Sequence, residues 1–303
     1  MTGYHRPVLL AESVEGLAVK PDGIYVDVTF GSGQSSRAIL ERLGPEGRLF
    51  SFDQDQDAEA NRIDDPRCTF IAANFKHIRN YLQFHGVSQV DGILADLGVS
   101  SHQFDVAERG FSTRFDGPLD MRMDPSQGMT AAELVQKGSE EDLTNIFRTL
   151  GEEPNARRIA KAILCARKRR SVETTLQLAE IVEKSVGRHG AHHPATRVFQ
   201  ALRMAVNDEL GELSRALSGG LGRLKAGGRF VVITFESLTD RAVKRFFVSH
   251  AGRMVSLHQG GARWEGDLPR VRLVTRRAAR PSTGEMERNP RSRSARLRVA
   301  EKV

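Results

Sequence analysis

The stretch Val26-Asp-Val-Thr-Phe-Gly-Ser-Gly-Gln-Ser-Ser36 combines the residue types that cradle a small molecule: an acid in an apolar run, then two glycines in a polar turn. What such a turn holds depends on its neighbours. A triphosphate loop needs GxxxxGK followed by Ser or Thr, which the chain lacks. A dinucleotide fingerprint needs a third glycine beneath the pyrophosphate, and Ser36 stands in that place. Asp27, four residues before Gly31, is placed at the lip of a cleft, where it would repel a pyrophosphate and attract an ammonium or a sulfonium. Asp53 ends the run "RLFSFD", 20 residues beyond Gly33, the distance at which an acid accepts hydrogen bonds from ribose hydroxyls. A ligand with a ribose, an ammonium and a sulfonium but no phosphate is S-adenosyl-L-methionine. Asp27, Gly31, Gly33 and Asp53 together favour a methyltransferase over a nicotinamide enzyme.

These residues need a sheet to position them, and the first hundred residues supply its pattern. Strand-like runs over 23–28, 48–52, 69–73 and 90–95 alternate with helical segments such as 35–43 and 75–84. This βαβ rhythm predicts an α/β fold with a parallel sheet. Ligands collect outside the carboxyl ends of such strands. The third strand leads into Asn74-Phe75, where Phe75 can cover an adenine face or fill the core. The fourth leads into Asp96-Leu-Gly-Val-Ser-Ser101, which places Asp96 where chemistry would occur.

A fifth strand is expected over 228–235, after a long helical interval. There Phe199, Leu202, Val206, Leu210, Leu213 and Leu217 recur at spacings of three and four, one apolar helix face bounded by Pro194 and by Gly219-Gly220. The simplest layout is a helical domain over 109–217 inserted into a domain made of 1–108 and 218–303. Residues 281–303 read as a basic tail with little structure of its own.

The net charge of +7 is unevenly placed. Between Arg270 and Val303 there are 11 Lys or Arg against three Asp or Glu, and Arg157 to Arg170 holds seven bases and no acid. Clustered arginine points to a polyanion, because guanidinium forks onto phosphate oxygens and releases counterions; a solvated helix face with a loose tail is the plainer alternative. Arg167, Lys168, Arg169 and Arg170, with Arg291, Arg293 and Arg296, are the candidate RNA contacts. Only Cys68 and Cys165 occur, and His189, His192 and His193 lack a carboxylate companion at ligand spacing, so neither a disulfide framework nor a metal is expected. Asp116, Asp120 and Asp124 are expected to organise a loop with Arg122. No run approaches the roughly 18 apolar residues of a membrane span, and the N-terminus lacks an apolar segment behind a basic head. A cytoplasmic protein is the expectation, as monomer or homodimer.

Several longer motifs carry a family resemblance. "HRPVLLAESV" at 5–14, "ADLGVSSHQFD" at 95–105, "RGFS" at 109–112, "GPLDMRMD" at 117–124, "GEE" at 151–153, "TRVFQALRMAVNDEL" at 196–210 and "NPRSRSARLRVAE" at 289–301 resemble the bacterial ribosomal RNA small-subunit methyltransferase H family. The resemblance spans nearly the whole chain. It implies a Rossmann-like methyltransferase sheet with an inserted helical, substrate-holding domain. It also implies methyl transfer from S-adenosyl-L-methionine to the exocyclic N4 of a cytidine in the decoding region of 16S ribosomal RNA. Matching positions assign cofactor contacts to Gly33, Gln34, Ser35, Asp53, Phe75, Asp96 and Gln103. The chain departs from the family pattern at Gln34-Ser35, where Gly-His is common, and at Glu236 and Thr239, where His and Glu are common. Asp96 is the expected catalytic residue, accepting a hydrogen bond from the attacking amino group, and RNA is expected to enter between the domains. An amino-methyltransferase acting on another nucleic acid, and a non-catalytic RNA-binding assembly factor, remain compatible with the same residues.

Overall fold

The computed structural model describes residues 7–188, 193–256, 261–265 and 268–303. His5, His189 and His192 lie outside them. The chain divides into two compact units, Met1–Gly98 with Leu210–Val303, and Val99–Glu209. Both crossings fall earlier than the sequence pattern placed them. Val99 and Phe104 pack in the core of the helical unit, whereas Leu213, Leu217 and Leu221 pack on the sheet.

The first unit is built on a seven-stranded sheet: β1 (Ile24–Asp27), β2 (Arg48–Asp53), β3 (Cys68–Ala72), β4 (Val90–Asp96), β5 (Leu224–Thr234), β8 (Val271–Leu273) and β9 (Arg296–Lys302). Their order is β3-β2-β1-β4-β5-β9-β8, and β6 (Arg253–Ser256) and β7 (Ala262–Glu265) form a separate hairpin. β1 to β5 are mutually parallel, and β9 runs antiparallel between β5 and β8. Strand β4 is buried from Val90 to Ala95, as a central strand covered on both faces must be. One face packs on Ile78, Leu82, Leu213, Leu217, Val243 and Phe247, the other on Leu9, Leu17, Ile39 and Leu40. This is an α/β, Rossmann-like sheet.

The second unit has its own core. Phe111, Leu119, Phe147, Ile159, Ile163, Leu178, Val182, Val198 and Leu202 are among its buried members. Thr130, Ser139 and Thr174 each open a helix with a reciprocal capping box, which satisfies two orphan backbone donors at each helix start. Asp120 grips Arg122 through two hydrogen bonds of 2.8 and 2.7 Å, and Arg109 donates to the carbonyls of Arg122 and Met123.

Three expectations are corrected. The apolar face from Phe199 to Leu217 belongs to two helices, Thr196–Val206 and Glu209–Arg223, separated at Asp208, whose φ of 45° no helix interior accepts. Gly219-Gly220 do not end the second helix; a Cβ on Gly220 would lie 2.9 Å from Phe230 and 3.0 Å from Ile93, so glycine lets helix and sheet approach. The tail after Pro281 is ordered, forming the helix Thr283–Arg288, a 3-10 turn at Pro290–Ser294 and strand β9.

That tail is pinned by charge as well as by pairing. Asp240, on the helix Ser237–Ala251, accepts from Arg298 at 2.7 and 2.9 Å and from Arg296 at 2.9 Å. Burial pushes the Asp240 carboxyl up, but the two guanidinia prevail and hold it below its ordinary value. Asp240→Ala leaves Arg298, 11% exposed, without its partner. We expect a loss of about 3 kcal/mol in chemical denaturation; an unchanged midpoint would show that the triad adds nothing to stability.

Candidate active site

Three acids end three neighbouring strands. Asp27 closes β1, Asp53 closes β2 and Asp96 closes β4, so parallel pairing alone collects them at one edge. Between them runs the glycine turn. Gly31 (φ 51°) and Gly33 (φ 75°) carry the left-handed conformations, and a Cβ on Gly33 would strike the Phe30 ring at 2.8 Å. Gln34 begins the helix Gln34–Leu40 and is not at positive φ. The departure from the family's Gly-Gly-His therefore puts no strain on the turn, because the residues that need to be glycine still are. Ser35, the next residue of that helix, is half-buried.

Asp27 is fully buried, not at the lip of a cleft. Its Oδ2 accepts from the Ser36 hydroxyl at 2.7 Å and its Oδ1 from the Thr29 N–H at 3.1 Å. Ser36, which reads as a missing glycine, thus ties the helix to the strand end, and its hydroxyl also meets Ser51 Oγ at 2.8 Å. Asp53 accepts from the Gly31 N–H at 2.8 Å and the Asp55 N–H at 2.9 Å, fixing the turn against β2. Thr29 accepts the Asp96 N–H at 2.7 Å. Thr29, Ser36 and Ser51 were invisible as site residues in the sequence, since hydroxyls carry no signal until their acids are placed.

The electrostatics of this edge are unusual. Burial, partly offset by Ser36 and Thr29, raises the Asp27 pKa. Burial lifts Asp53 to about 6 against the two N–H donors, with smaller contributions from the Asp55 and Asp27 charges. Burial, then the Asp27 charge, lifts Asp96 to about 7. Asp96 Oδ1 is shut off from solvent with no hydrogen-bond partner. Among the described residues, no Lys or Arg pairs with Asp27, Asp53 or Asp96. Buried carboxylates without a counter-charge are costly, and a cationic ligand with hydrogen-bond donors relieves that cost.

Other expected contacts are placed less decisively. Phe75 is half-buried and packs against the sheet core, beside Asn74, whose amide donates to Gln54 Oε1. Gln103 lies in the helical unit, its side chain buried and its Oε1 accepting the Ser100 N–H in a capping box. Gly98 (φ 143°) faces Phe235: a Cβ there would lie 3.3 Å from that ring. Of the departures near β5, Glu236 is the N-cap of the helix Ser237–Ala251, and Thr239 is buried with its hydroxyl unpartnered.

The arginine candidates divide. Arg167 donates to the carbonyls of Val135 and Gly138 at 2.6 and 2.7 Å, and Arg296 is held by Asp240, so both have structural roles. Lys168, Arg169, Arg170, Arg291 and Arg293 are exposed. No group of three metal-ligating side chains occurs among the described residues; His193 Nε2 lies 3.5 Å from Glu183. Both cysteines are free; Cys68 is half-buried and Cys165 exposed.

A family model described as "MraW methylase family" matches residues 2–303. The chain belongs to the MraW methylase family. It is a methyltransferase, and S-adenosyl-L-methionine is its methyl donor. Proteins named "Ribosomal RNA small subunit methyltransferase H" from Bacteroides thetaiotaomicron and from Aromatoleum aromaticum are each 50% identical to it, covering 99% of this chain and 97% of theirs. A solved rRNA methylase from Streptococcus thermophilus, 12% identical, aligns with a TM-score of 0.43 over 99% of this chain and 98% of that one. At that distance it decides nothing further. The acids suit the donor of this family: Asp53 offers acceptors of the kind ribose hydroxyls need, and the acidic edge complements a sulfonium and an ammonium.

A raised carboxyl pKa has a consequence for stability. The folded state keeps the Asp96 proton up to about pH 7, whereas the unfolded chain releases it in the ordinary carboxylate range. Raising pH through that window therefore penalises the folded wild type and spares Asp96→Asn. The stability of the variant relative to wild type should grow by about 1–3 kcal/mol between pH 4 and pH 8, read from urea midpoints at both values. A pH-independent difference would mean that Asp96 titrates normally.

Proposed function

We propose that this protein methylates the exocyclic N4 of a cytidine in the 16S ribosomal RNA of the small ribosomal subunit, and so acts in the cytoplasm. Its relatives in the family carry the small-subunit name over nearly their whole length. The observation that carries the chemistry is Asp96, a half-buried carboxylate with one oxygen orphaned and shut off from solvent at the end of β4.

S-adenosyl-L-methionine supplies an electrophilic methyl group on a sulfonium. The remaining task falls to the protein. A cytosine amino nitrogen is a poor nucleophile because its lone pair is delocalised into the ring. Asp96, ionised, accepts a hydrogen bond from that N–H and favours a tetrahedral nitrogen whose positive charge exists only in the transition state. Thr29 and the β4–β5 pairing hold the acid in place: its own N–H is bonded to Thr29, and the Leu97 N–H donates to Ile233 O at 2.9 Å. The absence of a Cβ at Gly98 lets the Phe235 ring pack against the loop that follows the acid. The helical unit, with exposed Lys168, Arg169 and Arg170 after the helix Ala156–Arg167, is assigned to holding RNA phosphates. A target base must leave its stack to react, so single-stranded or distorted RNA is the substrate form.

Two measurements test this reading. Small subunits from a strain lacking the enzyme, incubated with labelled S-adenosylmethionine and digested to nucleosides, should yield N4-methylcytidine by mass spectrometry. Cofactor binding without that product on subunits or free RNA would favour the assembly-factor alternative, and product on DNA the other.

Asp96→Ala should lower single-turnover methyl transfer about 10²-fold or more while sparing the fold. The wild-type rate should rise with pH through about 7 and then level, because the carboxylate accepts the bond and stabilises the developing positive charge far better than the neutral acid. A flat profile from pH 5 to pH 8 together with an active alanine variant removes Asp96 from the reaction.

A further inference from the structure

Beyond the acidic edge, the first unit holds a polar cavity of about 220 Å³, lined by Phe235, Ser237, Arg280, Arg293, Ser294, Ala295 and Arg296. Three arginines line it, and among the described residues only Arg296 has a counter-charge. Arg296 is tied to Asp240 at 2.9 Å. Among the described residues, the Arg280 and Arg293 guanidinia make no ion pair or hydrogen bond, and both side chains are exposed. Like charges gathered around one hollow repel one another, and a bound anion removes that repulsion. The cavity is also furnished for an oxyanion: arginines present forked donors, Ser237 and Ser294 add hydroxyls, and Ser237 opens a 15-residue helix whose first turn carries partial positive charge.

The topology puts this cavity beside Asp96. In the β4–β5 register Asp96 lies opposite Ile233, and Phe235, which lines the cavity, is two residues further along and faces Gly98. Strand β9 is antiparallel to β5 and starts at Arg296 opposite Thr234, so the segment before it, with Arg293 and Ser294, emerges at the carboxyl end of β5. The isolated bridge between Ala279 and Leu297 delivers Arg280 to the same place. Arg280 carried no weight in the sequence reading, because nothing local ties it to Arg293.

We propose that this cavity is a phosphate seat: it grips one backbone phosphate of the RNA next to the cytidine being methylated, through Arg280 and Arg293, with Arg296 oriented by Asp240. The proposal rests on the RNA substrate assigned above and deepens it. Held in this seat, the neighbouring phosphate sets the distance of the strand from Asp96, a positioning role distinct from the diffuse attraction of the exposed bases.

The test uses the full-length enzyme and small-subunit RNA. Arg280→Ala/Arg293→Ala should weaken RNA binding at least about tenfold and reduce the slope of log affinity against log salt by roughly 0.7–1, the contribution of one phosphate. S-adenosylmethionine affinity, measured by calorimetry on the same samples, should stay within about twofold and reports that the fold survives. Arg280→Lys/Arg293→Lys keeps the charge and loses the fork; it should show the wild-type salt slope with intermediate affinity. Unchanged RNA affinity and slope in the alanine variant overturns the seat, as does a lysine variant equal to wild type, which would reduce the cavity to unspecific charge. Failure of the substrate reading shows separately, as a wild-type enzyme that binds cofactor but leaves this RNA unmethylated.

Discussion

The site depends on an imbalance of charge that parallel pairing creates. β1, β2 and β4 point the same way, so the acids that end them, Asp27, Asp53 and Asp96, share one edge. No lysine or arginine among the described residues answers them. Each sits above its ordinary pKa, and burial is the largest cause in all three. An edge of this kind is poor for stability on its own and suited to a ligand that brings positive charge and hydroxyl donors.

The two ends of β4 show that burial alone does not make such a site. Asp91, near the amino end, is the more deeply buried of the two, yet Lys225 lies at 2.6 Å, Lys20 at 3.5 Å, and the Ile24 N–H donates at 3.0 Å. Burial raises its pKa, the partners overcome it, and the result lies below the ordinary value. Five residues later Asp96 has no such partner and sits at about 7. One acid anchors the sheet; the other is left with an orphaned oxygen at the edge where ligands bind. Stability withheld at one position in this way is a recurrent mark of function.

What the sequence revealed follows from the range of the interactions involved. The first four strands fall within about two residues of where alternation placed them, since strand period and apolar content are local properties. Asp53 and Asp96 were legible for the same reason: each directly ends such a run. Asp27 was singled out, but its burial was not foreseen, because that depends on Ser36 and Thr29 closing over it. The break at Asp208 was hidden by an apolar spacing that two helices share. β9 was hidden by distance, since Phe230 pairs with Ala300 across 70 residues of chain, and a run rich in arginine reads as a tail until that partner is known.

The antiparallel strand β9 also resolves an apparent conflict in the basic C-terminal segment. Read as composition, its arginines form one cloud suited to any polyanion. Folded, they take separate tasks: Arg298 and Arg296 neutralise Asp240, and Arg229 with Arg272 flanks Glu301 at 3.1 and 2.6 Å. These pairs lock the strand, and a locked strand is what carries Arg293 to the carboxyl end of β5 in a fixed place. A flexible tail would attract RNA equally well, but it would surrender conformational entropy on every encounter and set no distance. Charge spent inside the protein on ordering β9 is thus a condition for the unspent charge of Arg280 and Arg293 to act with geometric selectivity beside Asp96.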